Sequence, residues 1–188
     1  ADEADGMCAP VVDEICSRLG DVVYGTDMNS IEERVVALLK EKGKKIATAE
    51  SCTAGYIPKR LTDIPGASEV FECGIVSYSN DMKTKLLGVS LKTLDTYGAV
   101  SEQTAREMAL GAKRVSGADI AISTTGLAGP GGDGVLPGGL SFAAVTDGER
   151  TVVEKIVTGH ENDREYNRYV TASRALNLVR LMLEEKIK

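Results

Sequence analysis

The chain has 188 residues, of which 43% are hydrophobic and 27% charged, and it carries a formal net charge of −6. That length allows one domain with an appendage and a sizeable core, while the acidic balance argues against sequence-independent nucleic-acid binding, which needs a basic surface. No apolar run approaches the roughly 20 residues of a membrane span and no signal-peptide pattern opens the chain; four cysteines at unrelated spacings and a single histidine supply no zinc-site pattern. A reduced, cytoplasmic setting without membrane or nucleic-acid partners is expected. The first residue is not methionine, which predicts a piece of something longer.

Residues 1–29 stand apart. Ala9 to Leu19 has an amphipathic helical look, and Gly20 to Asn29 is turn-rich around Val22-Val23-Tyr24. We read this stretch as the tail of a preceding domain or a linker, ahead of a domain spanning 30–188. Ser30 is a candidate N-cap, with Glu32 and Glu33 in the first turn and Val35, Val36, Leu38 and Leu39 as an apolar face. Lys45 to Ala49 reads as a short buried strand that empties into Glu50-Ser51-Cys52-Thr53-Ala54-Gly55. A helix follows, carrying Tyr56, Ile57, Leu61 and Ile64. Pro58 means that it starts near Ile57 or is kinked there.

Cys73 to Ser79 is a second predicted strand, with Ile75 and Val76 buried. Asn80–Leu87 and Ser90–Tyr97 read as short helices, and Ser101 with Glu102 opens a stronger one that ends at Ser116-Gly117. Ala118 to Thr124 is a third strand, followed by a glycine-rich loop from Thr125 to Pro137. Gly138–Thr146 and Glu149–Val157 form a hairpin, because Asp147-Gly148 supplies the positive φ of a tight turn. A last helix begins near Asn162. Helices alternating with strands early and a hairpin late predict an α/β fold with a mixed sheet, parallel first and antiparallel at the end.

Small polar residues gather at four predicted element ends: Ser51-Cys52-Thr53, Tyr78-Ser79-Asn80, Ala99-Val100-Ser101 and Thr124-Thr125-Gly126. In an open α/β sheet, ligands lie outside the carboxyl ends of the strands. Ser51 at a strand-to-helix junction suits a nucleophile beside free N–H groups, and equally a plain N-cap serine. His160, the one histidine, precedes the last helix and reads as a surface or capping residue, so a serine–histidine pair is not expected. Lys83 remains as a base for Ser51, provided that its pKa falls well below the usual ~10.4; a solvated helix-surface lysine is the plainer reading. Cys52 is a rival nucleophile with a better intrinsic thiol, but a helix entered at that point turns it inward. The glycine loop lets backbone N–H groups approach an anion, though it matches neither the P-loop nor the dinucleotide fingerprint, and a flexible connector explains it as well.

Ala49-Glu50-Ser51-Cys52-Thr53-Ala54-Gly55 is similar to the AESCTGG signature of the CinA C-terminal family, the nicotinamide-mononucleotide amidases. Leu61 to Gly66, Tyr78-Ser79-Asn80 with Lys83, Gly98 to Ser101, Gly126 to Pro130, and Arg164 follow in the family's order, so the resemblance covers about Ser30 to Ile187. It implies a three-layer α/β/α sandwich that hydrolyses the carboxamide of nicotinamide mononucleotide to nicotinate mononucleotide and ammonia, without cofactor or metal. It places the catalytic roles on Ser51, Lys83 and Tyr78. Cys52, Thr53, Asn80, Thr125, Gly126, Gly129 and Arg164 become substrate-binding candidates. It further implies a homodimer, and a longer chain with an N-terminal domain whose closing segment looks like Val23-Tyr24-Gly25.

Three departures stand out. Ala54 replaces a signature glycine, Leu136-Pro137-Gly138-Gly139-Leu140-Ser141 replaces the family's Lys-Pro-Val-Gly-Thr-Val, and Pro58 adds a kink hazard. They keep open a non-catalytic nucleotide-binding or assembly domain as the alternative. A competence-related DNA-binding role rests on the family's historical name alone and is opposed by the negative charge.

Overall fold

A computed structural model describes the backbone of residues 2–187 and the side-chain environments of residues 6–187. Five strands form one mixed sheet in the order β2-β1-β3-β4-β5: β1 (Ile46–Glu50), β2 (Phe71–Val76), β3 (Ile120–Gly126), β4 (Leu140–Thr146) and β5 (Thr151–Val157). β1 pairs parallel with β2 and β3, and β3–β4 and β4–β5 are antiparallel. Helices α2 (Ile31–Glu41), α3 (Tyr56–Thr62) and α7 (Arg164–Leu183) cover one face. Helices α4 (Asn80–Leu87), α5 (Leu91–Tyr97) and α6 (Glu102–Ser116) lie on the other, where α6 spans the sheet and α4 and α5 pack on it. The expected α/β sandwich with parallel strands and a late antiparallel hairpin is what forms.

Serine hydroxyls start most of these helices. Ser30, Ser79, Ser90 and Ser101 each accept the N–H three residues on, from Glu33, Met82, Thr93 and Thr104, and so fill one of the orphan donors of a helix start. α7 is capped instead by Asp163, which accepts the Tyr166 N–H, while α3 has no side-chain cap, because its N-cap is Gly55 at φ +88°. Pro58 is the third residue of α3. Its missing N–H falls among the first four, which have no intrahelical acceptor, so the helix begins at Tyr56 and is not kinked there.

The two cores differ in grain. Between the sheet and α2, α3 and α7 lie bulky side chains including Val35, Leu39, Ile46, Ile57, Leu61, Ile122, Val145, Leu176 and Val179. Under α6 the contacts are smaller: Ala105, Ala109 and Ala144 in one cluster, and Ala49, Leu87, Val89, Met108, Ala112 and Ala121 in another. Small residues let α4 come close. A Cβ on Gly111 would lie 2.0 Å from the Leu87 carbonyl oxygen, so the end of α4 rests on bare α6 backbone. That approach sets the height of α4, and hence of Lys83, above the sheet.

Two expectations need correction. The second strand runs Phe71–Val76 rather than Cys73–Ser79, and Val76 is 46% exposed, not buried. β2 is an edge strand, and its residues alternate between half-buried and exposed. The N-terminal helix also starts earlier than expected: α1 (Asp2–Leu19) runs through Pro10.

From Gly6 onward α1 is exposed except for a half-buried Cys16, and its only substantial contact is with the short 3-10 turn Gly20–Val22 that follows it. The first anchored residue is Asp21, whose carbonyl accepts from Arg180 and whose carboxylate pairs with Lys186. A chain lacking residues 1–19 is therefore expected to unfold within about 2 °C of the full chain in a circular-dichroism melt, since a surface segment without buried partners contributes little to stability.

Candidate active site

Chain order reverses at β1: the connection through α3 leads outward to β2, and the one through α4, α5 and α6 crosses back to β3. A crevice opens at such a switch point, beyond the carboxyl ends of β1 and β3. A cavity of about 310 Å³ occupies it, lined by residues of all four clusters that the sequence singles out, among them Ser51, Tyr78, Ala99 and Thr125, and by Lys83. The glycine loop from Gly126 to Gly132 forms the opposite wall.

Ser51 is 8% exposed at the cavity floor, in the turn between β1 and α3. Lys83 is 1% exposed, and its Nζ lies 3.1 Å from Ser51 Oγ, 3.0 Å from the Ser77 carbonyl and 3.2 Å from the Tyr78 carbonyl. Among the described residues no carboxylate pairs with it; the acid of its own first turn, Asp81, bonds Lys85 instead. Burial of the amine pulls its pKa below 10.5. The opposing influence is a Cys52 thiolate, which does not form near neutrality because burial pushes that thiol up to about 12. The amine donates to the Ser51 hydroxyl and to the two carbonyls; once it sheds a proton, the carbonyls hold its two remaining N–H donors and its lone pair faces the Ser51 hydroxyl.

Cys52 lies beside Ser51 but is 6% exposed, and a thiol titrating near 12 holds almost no nucleophilic thiolate at pH 7. Thr53 sits behind the cavity rather than in it. Its side chain is fully buried, with the hydroxyl 2.6 Å from that of Thr124. Its backbone is a different matter: the N–H groups of Cys52 and Thr53 meet no backbone carbonyl among the described residues. Ala54 takes φ +49°, in the left-handed region, which costs a residue with a Cβ about 1 kcal/mol or slightly more relative to glycine. The turn keeps the shape that the signature glycine would favour.

The remaining candidates divide between wall and brace. Asn80, Gly126 and Gly129 line the cavity. Thr125 also lines it, but its hydroxyl donates to the Ala99 carbonyl at 2.6 Å and so ties the 98–101 loop to β3. Arg164 is the first residue of α7. It donates to the Gly129 carbonyl at 2.6 Å and to the Tyr78 hydroxyl at 3.2 Å, bridging the two walls. Tyr78 is 61% exposed at the rim, so its side chain reaches the cavity from outside while its carbonyl holds Lys83. His160 is exposed, its ring packed on Tyr166, and does not line the cavity.

Three further residues shape the site and were not singled out. Asn167, 2% exposed, donates to the Ala128 and His160 carbonyls, and Arg168 donates to the Thr53 carbonyl at 2.7 Å. With Arg164 they stand at spacings of three and four on one helix, which is one face; that spacing was the available signal. Glu50 is the third. It is fully buried, and its Oε2 accepts the Ile57 N–H at 3.2 Å. Burial raises its pKa, and the Thr53 hydroxyl and the N–H groups of Ile57, Gly55 and Tyr56 restrain the rise. The first turn of α3 is thus capped from within and does not open toward the cavity. The altered segment Leu136 to Ser141 contributes nothing to the cavity lining. It closes the loop from behind, where Gly139 N–H donates to Leu127 O and Leu127 N–H to Leu140 O.

Among the described residues no three His, Cys, Asp or Glu side chains gather where they could hold a metal ion, and no helix is long and apolar enough to cross a membrane.

The family model described as the CinA C-terminal domain matches residues 28–183. A CinA-like protein from Desulfovibrio desulfuricans is 43% identical over 182 residues, covering 96% of this chain and 43% of that protein. One from Kosmotoga olearia is 44% identical over 181 residues, with 96% and 43% covered. The chain spans less than half the length of these curated relatives. Among solved structures, the competence/damage inducible protein CihA from Agrobacterium tumefaciens superposes with a TM-score of 0.78 at 38% identity, covering 85% of this chain and 99% of that one. A CinA superfamily protein from Klebsiella pneumoniae gives 0.78 at 29% identity, with 82% and 96% covered.

Exposure separates the cysteines chemically. Brief iodoacetamide treatment of the folded protein at pH 7.5 is expected to alkylate the exposed Cys8 and leave Cys52 unmodified in a peptide mass map.

Proposed function

The chain belongs to the CinA C-terminal domain family, and from that premise we propose that it hydrolyses the carboxamide of nicotinamide mononucleotide to nicotinate mononucleotide and ammonia, with Ser51 as nucleophile and Lys83 as general base. The observation that carries this reading is the buried amine of Lys83 within 3.1 Å of Ser51 Oγ at the floor of a nucleotide-sized cavity.

In this mechanism the neutral Lys83 amine takes the hydroxyl proton as Ser51 Oγ attacks the carboxamide carbon. The carbonyl electrons move to oxygen, and the free N–H groups of Cys52 and Thr53 are the nearest donors for that oxyanion. Lys83 passes its proton to the amide nitrogen, the C–N bond breaks, and ammonia leaves. A water molecule, deprotonated in turn by Lys83, attacks the ester carbon and frees Ser51. Arg164 at the rim and the N–H groups of the glycine wall suit the phosphate and ribose, while Tyr78 and Asn80 border the ring.

A non-catalytic nucleotide-binding scaffold drew its support from the altered Leu136–Ser141 segment, and the position of that segment off the cavity weakens it. Within a longer protein, residues 1–29 read as the end of the preceding domain, and a cytoplasmic homodimer is the assembly we expect.

Two measurements test the reading. Ammonia release from nicotinamide mononucleotide is expected without added metal. Ser51→Ala should lower it at least about 1,000-fold and Lys83→Ala about 100-fold or more; activity surviving Ser51→Ala would overturn the assignment. The pH profile has a definite sign. The reactive form is the neutral amine, so kcat/KM should rise with pH through a Lys83 pKa below 10.5 and then level off. Across that same window, from the lowered value up to 10.5, the unfolded chain binds the extra proton, so stability should also rise with pH.

A further inference from the structure

The turn that carries Ser51 has to hold one rotamer within reach of Lys83, and its own ties are few: the Ala54 N–H donates to the Ser51 carbonyl and the Tyr56 N–H to the Thr53 carbonyl, each at 3.2 Å, and the Thr53 hydroxyl meets that of Thr124. Its five residues, Ser51 to Gly55, include an alanine and a glycine at positive φ, and the helix that ends it lacks a capping side chain. The missing cap comes from the residue before the nucleophile. Glu50 ends β1, pinned there by strand pairing with Thr124 and Val76 and by donation of the Ser77 N–H to its carbonyl at 2.9 Å. Its side chain turns under α3, where Oε2 accepts the Ile57 N–H. One residue thus fixes both ends of the loop: its backbone belongs to the strand and its carboxyl to the helix. From the other side Arg168 holds the Thr53 carbonyl.

We propose that Glu50 is a positioning residue for the Ser51 nucleophile, acting through its Oε2 as an acceptor that clamps the first turn of α3 to the end of β1. Charge is not the working feature. Oε1 is buried without a hydrogen-bond partner, and among the described residues no lysine or arginine forms an ion pair with the carboxyl. An amide at this position keeps the acceptor oxygen. A carboxylate one methylene shorter keeps the charge and withdraws the oxygen from Ile57. The inference rests on the amidase reading for its turnover assay, but the reactivity of Ser51 is measurable without it.

The experiment compares Glu50→Gln and Glu50→Asp with the wild type, with folding checked by near-ultraviolet circular dichroism. Two readouts are used: the rate at which a fluorophosphonate labels Ser51, and the kcat and KM for ammonia release from nicotinamide mononucleotide. Glu50→Gln should label and turn over within about 3-fold of wild type, because a neutral acceptor serves the Ile57 N–H nearly as well. Glu50→Asp should lose about 100-fold in kcat and in labelling rate with KM changed less than about 3-fold, as expected when a reacting atom shifts by about 1 Å. Wild-type behaviour in Glu50→Asp, or a folded Glu50→Gln as impaired as Glu50→Asp, overturns the proposal. So does a wild-type Ser51 that the probe does not label. Normal labelling without ammonia release would reject the amidase reading and leave the labelling comparison to decide the role of Glu50.

Discussion

One buried nitrogen with three oxygen neighbours organises this site. Lys83 Nζ is drawn between two main-chain carbonyls and one serine hydroxyl, with no carboxylate among the described residues to compensate a charge there. An ammonium in that position forfeits most of its hydration, and three neutral dipoles recover only part of it. The protein tolerates this because the lysine stem is long and apolar, and α4 lies low enough on the alanine- and glycine-rich α6 to deliver it. The fine-grained core under α6 and the Ser51–Lys83 contact above it are two ends of one packing decision.

The opposite helical layer works differently. There the bulky core locks α2, α3 and α7 to the sheet, and the polar start of α7 projects beyond it to seize the cavity walls. Arg164 ties Gly129 to Tyr78, Asn167 holds Ala128, and Arg168 holds the Ser51–Gly55 turn. Segments far apart in sequence, the 51–55 turn, the Tyr78 rim and the glycine wall, thus take their spacing from a single rigid rod.

Much of this was legible in the residues. Serine caps at 30, 90 and 101, the Asp147-Gly148 turn and the alternation of strands with helices gave the layered order, because each signal is local. Ser51 and Lys83 were found as candidates, but their meeting depends on how low α4 rides, which no local pattern records. Val76 was misjudged because an apolar residue reads the same in a central strand and an edge strand; only the sheet order tells them apart. The start of α3 was expected to present its N–H groups to a ligand, and Glu50 takes the Ile57 N–H instead. A glutamate between a strand and a nucleophile looks like any other charge until its burial is known.

The division of labour along α7 has a consequence for biosynthesis. Its apolar half completes the large core and its polar turn completes the cavity, while every other wall lies earlier in the chain. A nascent polypeptide emerging from the ribosome therefore carries the serine and the lysine long before the segment that braces them. The Arg164 wall of the cavity and the Arg168 brace on the Ser51 turn are thus the last parts of the site to be made.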